Sequence, residues 1–139
     1  MKTVVKLSPF LCLLCVAPAL ADFPYSIFFV AGSAKLQGGG TDETGPDRLI
    51  LAAVRDAAAA GASELDVTGY CSAADVSELA DADSDENAMS FSRRRAQAVA
   101  DALRADGLPD SVRIVISGVD QCEQAGSAIM SQVVRIEMK

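Results

Sequence analysis

Polar and apolar residues alternate with a period of two over residues 64–70, Glu-Leu-Asp-Val-Thr-Gly-Tyr, which is the pattern of a strand with one buried face. Residues 112–117, Val-Arg-Ile-Val-Ile-Ser, and 133–138, Val-Val-Arg-Ile-Glu-Met, read as two further strands, the second with Val134, Ile136 and Met138 on one face. An earlier run at 25–31, Tyr-Ser-Ile-Phe-Phe-Val-Ala, is short, apolar and aromatic, as in a buried strand. Helical spacing lies between these runs. Pro46 suits the first position of a helix, Ile50, Val54, Ala57 and Ala58 recur along one face, and Gly61 is a natural stop. A second helix is expected from about Met89 to Asp106, with Ala96, Val99, Ala100 and Leu103 as its apolar face, Ser90 or Ser92 as its cap or close to its start, and Gly107 after it. Gly38 to Gly40 and the following Thr41–Gly45 read as loop. Residues 72–88 carry Asp75, Glu78, Asp81, Asp83, Asp85 and Glu86 with no base, which predicts a long exposed acidic loop, with at most one helical turn in it. The expected order is β-α-β-α-β-β, an α/β (α+β sandwich) arrangement. Helices between strands impose crossover connections and therefore at least partly parallel pairing.

The first 21 residues follow a different pattern. Lys2 and Lys6 precede an apolar stretch from Leu7 to Val16, and Ala17-Pro-Ala-Leu-Ala21 closes it with small residues. This predicts a secretory signal over 1–21, cleaved after Ala21, and one domain over 22–139. The apolar stretch falls short of the roughly 20 residues that span a bilayer, and no later segment is a transmembrane candidate. Cys12 and Cys15 lack the preceding small residues of a lipid-attachment signal.

Removing that segment changes the charge. The chain has 12 Lys and Arg against 19 Asp and Glu; without Lys2 and Lys6 the balance is 10 − 19 = −9. A domain this acidic does not bind nucleic acid by counterion release and is repelled by anionic lipid. Four cysteines become two, Cys71 and Cys122, a pair that suggests a disulfide in an oxidising compartment. By loop entropy such a bridge contributes about 4 kcal/mol. The chain contains no histidine, which removes Ser–His–Asp and Cys–His catalysis and the commonest metal ligand. Two cysteines do not make a Cys-rich zinc site. No acid/base or nucleophile constellation emerges, so neither an enzyme nor a cofactor is expected.

The most informative stretch is Asn87-Ala-Met-Ser-Phe-Ser-Arg-Arg-Arg-Ala-Gln-Ala-Val99, taken with the strand end Val67-Thr-Gly-Tyr-Cys-Ser72. Together they resemble the C-terminal domain of the OmpA/MotB-like family, in which a strand ending G-x-T-D is followed by N-x-x-L-S-x-x-R-A-x-x-V at the start of a helix. Ser92, Arg95, Ala96 and Val99 fall in register, with Phe91 at the leucine. Phe29-Val-Ala-Gly-Ser-Ala-Lys-Leu36 is similar to the family's first-strand exit, and Ile114-Val-Ile-Ser-Gly118 to its third strand. The resemblance covers nearly all of 22–139. It implies a mixed sheet with two helices packed on it, a periplasmic location, and non-covalent association with peptidoglycan through the diaminopimelate of the stem peptide.

A zwitterionic amino-acid end suits an Arg for its carboxylate and an Asp for its ammonium. The resemblance places the arginine at Arg95, near a helix N-terminus that itself favours an anion. It places Ser72 where the family has its acid; Asp75, Asn87 and Tyr70 are the remaining candidate ligand-binding residues. Asn87 stands one position early, with Ala88 at the motif asparagine, and Val30 and Gly32 replace acids often found at the first-strand exit. Half of the two-charge clamp is therefore missing or rebuilt. Arg93 and Arg94 read as solvated bases facing the acidic segment. Asp81-Ala-Asp83-Ser-Asp85 has the spacing of a calcium loop but lacks its turn glycine and its final glutamate. A bridge between Cys71 and Cys122 would pin the root of the acidic segment and reach into the proposed groove. Two function classes follow: a periplasmic module that binds peptidoglycan, or the same domain without its wall site, serving as a protein-interaction or structural module of the envelope.

Overall fold

A computed structural model describes residues 24–37, 45–123 and 132–139. The expected secretory signal and the loop 38–44 lie outside the described residues. The elements are β1 (Tyr25–Phe28), α1 (Pro46–Ala59), β2 (Glu64–Gly69), α2 (Ala73–Asp81), α3 (Ala88–Ala105), β3 (Arg113–Ser117) and β4 (Val133–Met138). The four strands form one mixed sheet in the order β1-β4-β2-β3. β2 and β3 are parallel, as the helical crossover between them requires. β4 inserts antiparallel between β1 and β2.

One face of the sheet carries the core. Leu65 and Val67 alternate inward along β2, Val134 and Ile136 along β4, and Ile27 comes from β1; all five are fully buried. They meet Val99 and Leu103 of α3 and Leu51 and Val54 of α1. Each such side chain removed from water contributes about 1.5–3 kcal/mol.

The structure departs from the expectation in four places. The run 25–31 is a strand only as far as Phe28, and Phe28 and Val30 are exposed while Ile27 and Phe29 face the core, so it alternates and is not wholly buried. The buried line of α1 is Asp47, Leu51, Val54 and Ala58, while Ile50 is only half-buried, so the inward stripe is rotated by one residue. The acidic segment contains a helix, α2, which makes three helices among the described residues. Ser72 is its N-cap and forms a capping box with Asp75, each side chain serving the other's backbone N–H. Among its residues α2 fully buries only Asp75, and Leu79 is half-buried; a helix whose one fully buried side chain is a carboxylate carries no clear apolar stripe. Finally, α3 is capped neither by Ser90 nor by Ser92. Asn87 Oδ1 accepts the Ser90 N–H at 2.9 Å. Ser92 lies inside the helix, buried, where its Oγ accepts the Val119 N–H at 2.8 Å.

Two glycines set the height of α3 above the sheet. A Cβ on Gly69 would stand 1.8 Å from the Ser92 carbonyl oxygen, and one on Gly118 would stand 2.6 Å from Ser92 Oγ. The first turns of α3 therefore rest directly on the C-terminal ends of the parallel strands, with no strand side chain between and only the Ser92 hydroxyl reaching across to Val119. Gly69→Ala is expected to destabilise the fold by about 3 kcal/mol, at the upper end of overpacking costs. Gly61→Ala, with open space around it, is expected to stay within about 0.5 kcal/mol of wild type. Urea midpoints of the two variants check this pair.

Candidate functional site

The end of β2, the exit of β1 and the starts of α2 and α3 converge on Arg95. Its side chain is fully buried. A guanidinium has five N–H donors, and all five are used inside the domain. Nε donates to the Ser33 carbonyl at 2.8 Å. Nη1 donates to the Tyr70 carbonyl at 3.0 Å and to Asp75 Oδ2 at 2.8 Å. Nη2 donates to the Val30 carbonyl at 3.1 Å and to Asp75 Oδ1 at 2.6 Å. The ring centroids of Phe91 and Phe29 lie 4.5 and 5.2 Å from the guanidinium carbon, in the range of cation–π attraction.

Asp75 is equally well provided. Besides the two-toothed pairing with Arg95, its carboxylate accepts the Gly32 N–H at 2.7 Å, the Ser72 N–H at 2.8 Å and the Ser72 hydroxyl at 3.2 Å. Both members of the pair have fully buried side chains. Among the described residues, no buried side-chain nitrogen or oxygen lacks a hydrogen-bond partner, which is the condition for tolerating charges at such depth.

Arg95, Ser72, Asp75 and Tyr70 thus come together as the residue pattern suggests, but in other roles. Ser72 caps α2 and also accepts the Gln132 amide at 3.1 Å. Tyr70 contributes its carbonyl, while its ring stacks under Arg135, 4.9 Å from the guanidinium carbon. Asn87 is not brought in; it is exposed and caps α3. The Val30 and Ser33 carbonyls and the Gly32 amide were not legible from side-chain type, because they act through the backbone. Gly32 has a φ of +69°, and a Cβ there would stand 2.5 Å from Glu78 Cβ. Glycine is required on both counts.

Cys71 and Cys122 are joined, S–S 2.05 Å. They pack with Phe91 beneath half-buried Leu79, Ala88 and Val119. The bridge continues the parallel pairing beyond β2 and β3: the Glu123 N–H donates to the Cys71 carbonyl at 3.1 Å and the Ala73 N–H to the Glu123 carbonyl at 2.8 Å. The root of α2 is therefore fixed covalently and by hydrogen bonds. The bridge does not occupy the Arg95 donors.

Of the neighbouring bases, Arg93 is exposed. Arg94 pairs with Glu86 through two hydrogen bonds, at 3.1 and 2.7 Å. This contact holds the Glu86 carboxyl below the usual glutamate value of 4.5 and raises the arginine. Asp81, Asp83 and Asp85 are exposed, and no group of three metal-ligating side chains occurs among the described residues. No helix among them is long and apolar enough to cross a membrane. In comparison with known proteins, no family model and no curated protein matches the chain.

Removing one partner of a buried ion pair leaves the other charge stranded, at about 3–5 kcal/mol. Arg95→Met and Asp75→Leu are each expected to lose at least that much, and the double variant to lose less than their sum without regaining wild-type stability, because the Val30, Ser33 and Tyr70 carbonyls and the Gly32 and Ser72 amides stay unpaired; a double-mutant cycle by denaturant unfolding reads the coupling. The exposed Glu86–Arg94 pair is worth less than about 1 kcal/mol after solvent screening. Because Glu86 is depressed in the folded state, its contribution is present above pH 4.5 and is lost as the pH falls through the folded value. Glu86→Gln is thus expected to cost a fraction of a kcal/mol at pH 7 and nothing in strong acid, as measured by urea unfolding at both pH values.

Proposed function

We propose that the chain is an exported, non-catalytic domain of the OmpA-like kind in which the family's wall-binding arginine has been turned inward. It would then serve the envelope as a protein-interaction or structural module and would not be a peptidoglycan anchor. The family reading is supported by the register of Ser92, Arg95, Ala96 and Val99, all four buried in α3. It is supported further by the glycines at 69 and 118, on which that helix rests. Export and a periplasmic location are supported by the layout of the first 21 residues, and the Cys71–Cys122 bridge fits an oxidising compartment.

The observation that carries the loss of wall binding is the saturation of Arg95. A stem-peptide carboxylate needs two parallel N–H donors. The two that could face it, one on each Nη, are held by Asp75. Burial of both partners adds a desolvation barrier to any direct exchange. The acidic exposed face of Glu78, Asp81, Asp83 and Asp85 favours a basic protein surface over an anionic wall polymer.

Co-sedimentation with purified sacculi tests this reading. The disulfide-bonded 22–139 protein is expected to remain in the supernatant at physiological salt. Pelleting that free diaminopimelate competes away would overturn the proposal and restore the peptidoglycan-binding alternative.

A further inference from the structure

The Asp75 carboxylate lies in a receptor that the rest of the domain builds without α2. Three of its donors, Arg95 Nη1 and Nη2 and the Gly32 amide, come from α3 and the β1 exit. The groups that aim Arg95 are also independent of α2: the carbonyls of Val30, Ser33 and Tyr70, and the rings of Phe29 and Phe91. They hold three of the five N–H groups and leave two pointing at one place. A carboxylate-binding site would therefore persist if Asp75 left it.

α2 is attached as a removable part would be. Asp75 is its one buried residue. Its other attachments are half-buried Leu79 beside Phe91 and the disulfide, and Glu78 lying over Gly32; Val76 is 46% exposed. Both ends of the segment are anchored. Cys71 is bridged to Cys122 and Ala73 is bonded to Glu123 on one side; on the other the chain enters α3 at its Asn87 cap, with the exposed Glu86–Arg94 pair beside it.

We propose that α2 is a latch: Asp75 is a tethered carboxylate seated in a preformed carboxylate site on Arg95 and the Gly32 amide, and lifting α2 opens that site to a carboxylate-bearing ligand. This rests on the reading that Arg95 is closed in the resting domain. It concerns what closes the site, whereas sedimentation with sacculi asks only whether the resting protein holds the wall.

Two measurements on the disulfide-bonded 22–139 protein decide it. In hydrogen exchange of the wild type, the amides of Val76–Asp81 are expected to exchange at least about tenfold faster than those of β2 and the centre of α3, through an opening short of global unfolding. Equal protection of α2 and the core overturns the latch. In thermal unfolding of Asp75→Ala, sodium acetate is expected to raise the midpoint saturably above the effect of sodium chloride at the same ionic strength, as a ligand of the folded state does, with no such excess for the wild type. Indistinguishable acetate and chloride curves for the variant also overturn it. Where Asp75→Ala does not fold, the exchange result alone decides.

Discussion

The buried pair of Arg95 and Asp75 is the contact on which the arrangement of this domain turns. Removing two charges from water costs several kcal/mol for each ion, so the pair is tolerable only with every polar atom satisfied. That demand reaches into four separate segments. The β1 exit must present the Val30 and Ser33 carbonyls and the Gly32 amide, β2 must end with the Tyr70 carbonyl inward, α2 must start at Ser72, and α3 must bring Arg95 down between Phe29 and Phe91. A displacement of any one of them strands a donor or an acceptor in the interior. The pair thereby specifies one packing of loops that the hydrophobic core, further along the sheet, does not itself constrain.

The geometry that makes this possible lies in the strands. β2 and β3 run parallel, so their C-terminal ends share one edge of the domain. Gly69 and Gly118 sit at those ends and let the α3 backbone approach without intervening strand side chains. The Cys71–Cys122 bridge and the Ser72–Glu123 pairing prolong the same parallel ladder by one more step. The start of α3 is thus clamped from below by glycines and flanked by a covalent link, which fixes the position of Arg95 before any ligand is considered.

Much of this was legible in the residues. The alternation at 64–70 and the runs at 112–117 and 133–138 mark three strands, because each turns apolar side chains to the core: Leu65 and Val67, half-buried Ile114 and Ile116, and Val134 and Ile136 with half-buried Met138. The apolar stripe of α3 is visible for the same reason. α2 was not, because its one fully buried side chain is a carboxylate and helical periodicity shows only in apolar residues. The one local signal was Ser72 with Asp75 three residues on, a capping box whose acid is doing a second task. The arginine stood out by motif register, but side-chain types alone do not show that backbone carbonyls would take three of its five donors. Those carbonyls come from residues 30, 33 and 70, whose convergence is a property of the sheet order.

A tethered carboxylate also explains how a binding site can be present and yet closed. A group held on a short segment with both ends fixed meets its receptor at an effective concentration on the order of millimolar or more. A free carboxylate at lower concentration loses that competition even when its intrinsic contacts are equal. Glu78, one turn from Asp75 on α2 and over Gly32, adds like-charge repulsion to any incoming anion while the helix is seated. A ligand that enters must therefore gain on contacts outside the carboxylate, either with the surface that α2 uncovers or with α2 itself. The exposed Val76 and the acidic side chains of the helix are the groups from which a basic, partly apolar partner could draw that energy, so that binding the lid and filling the site would be one event.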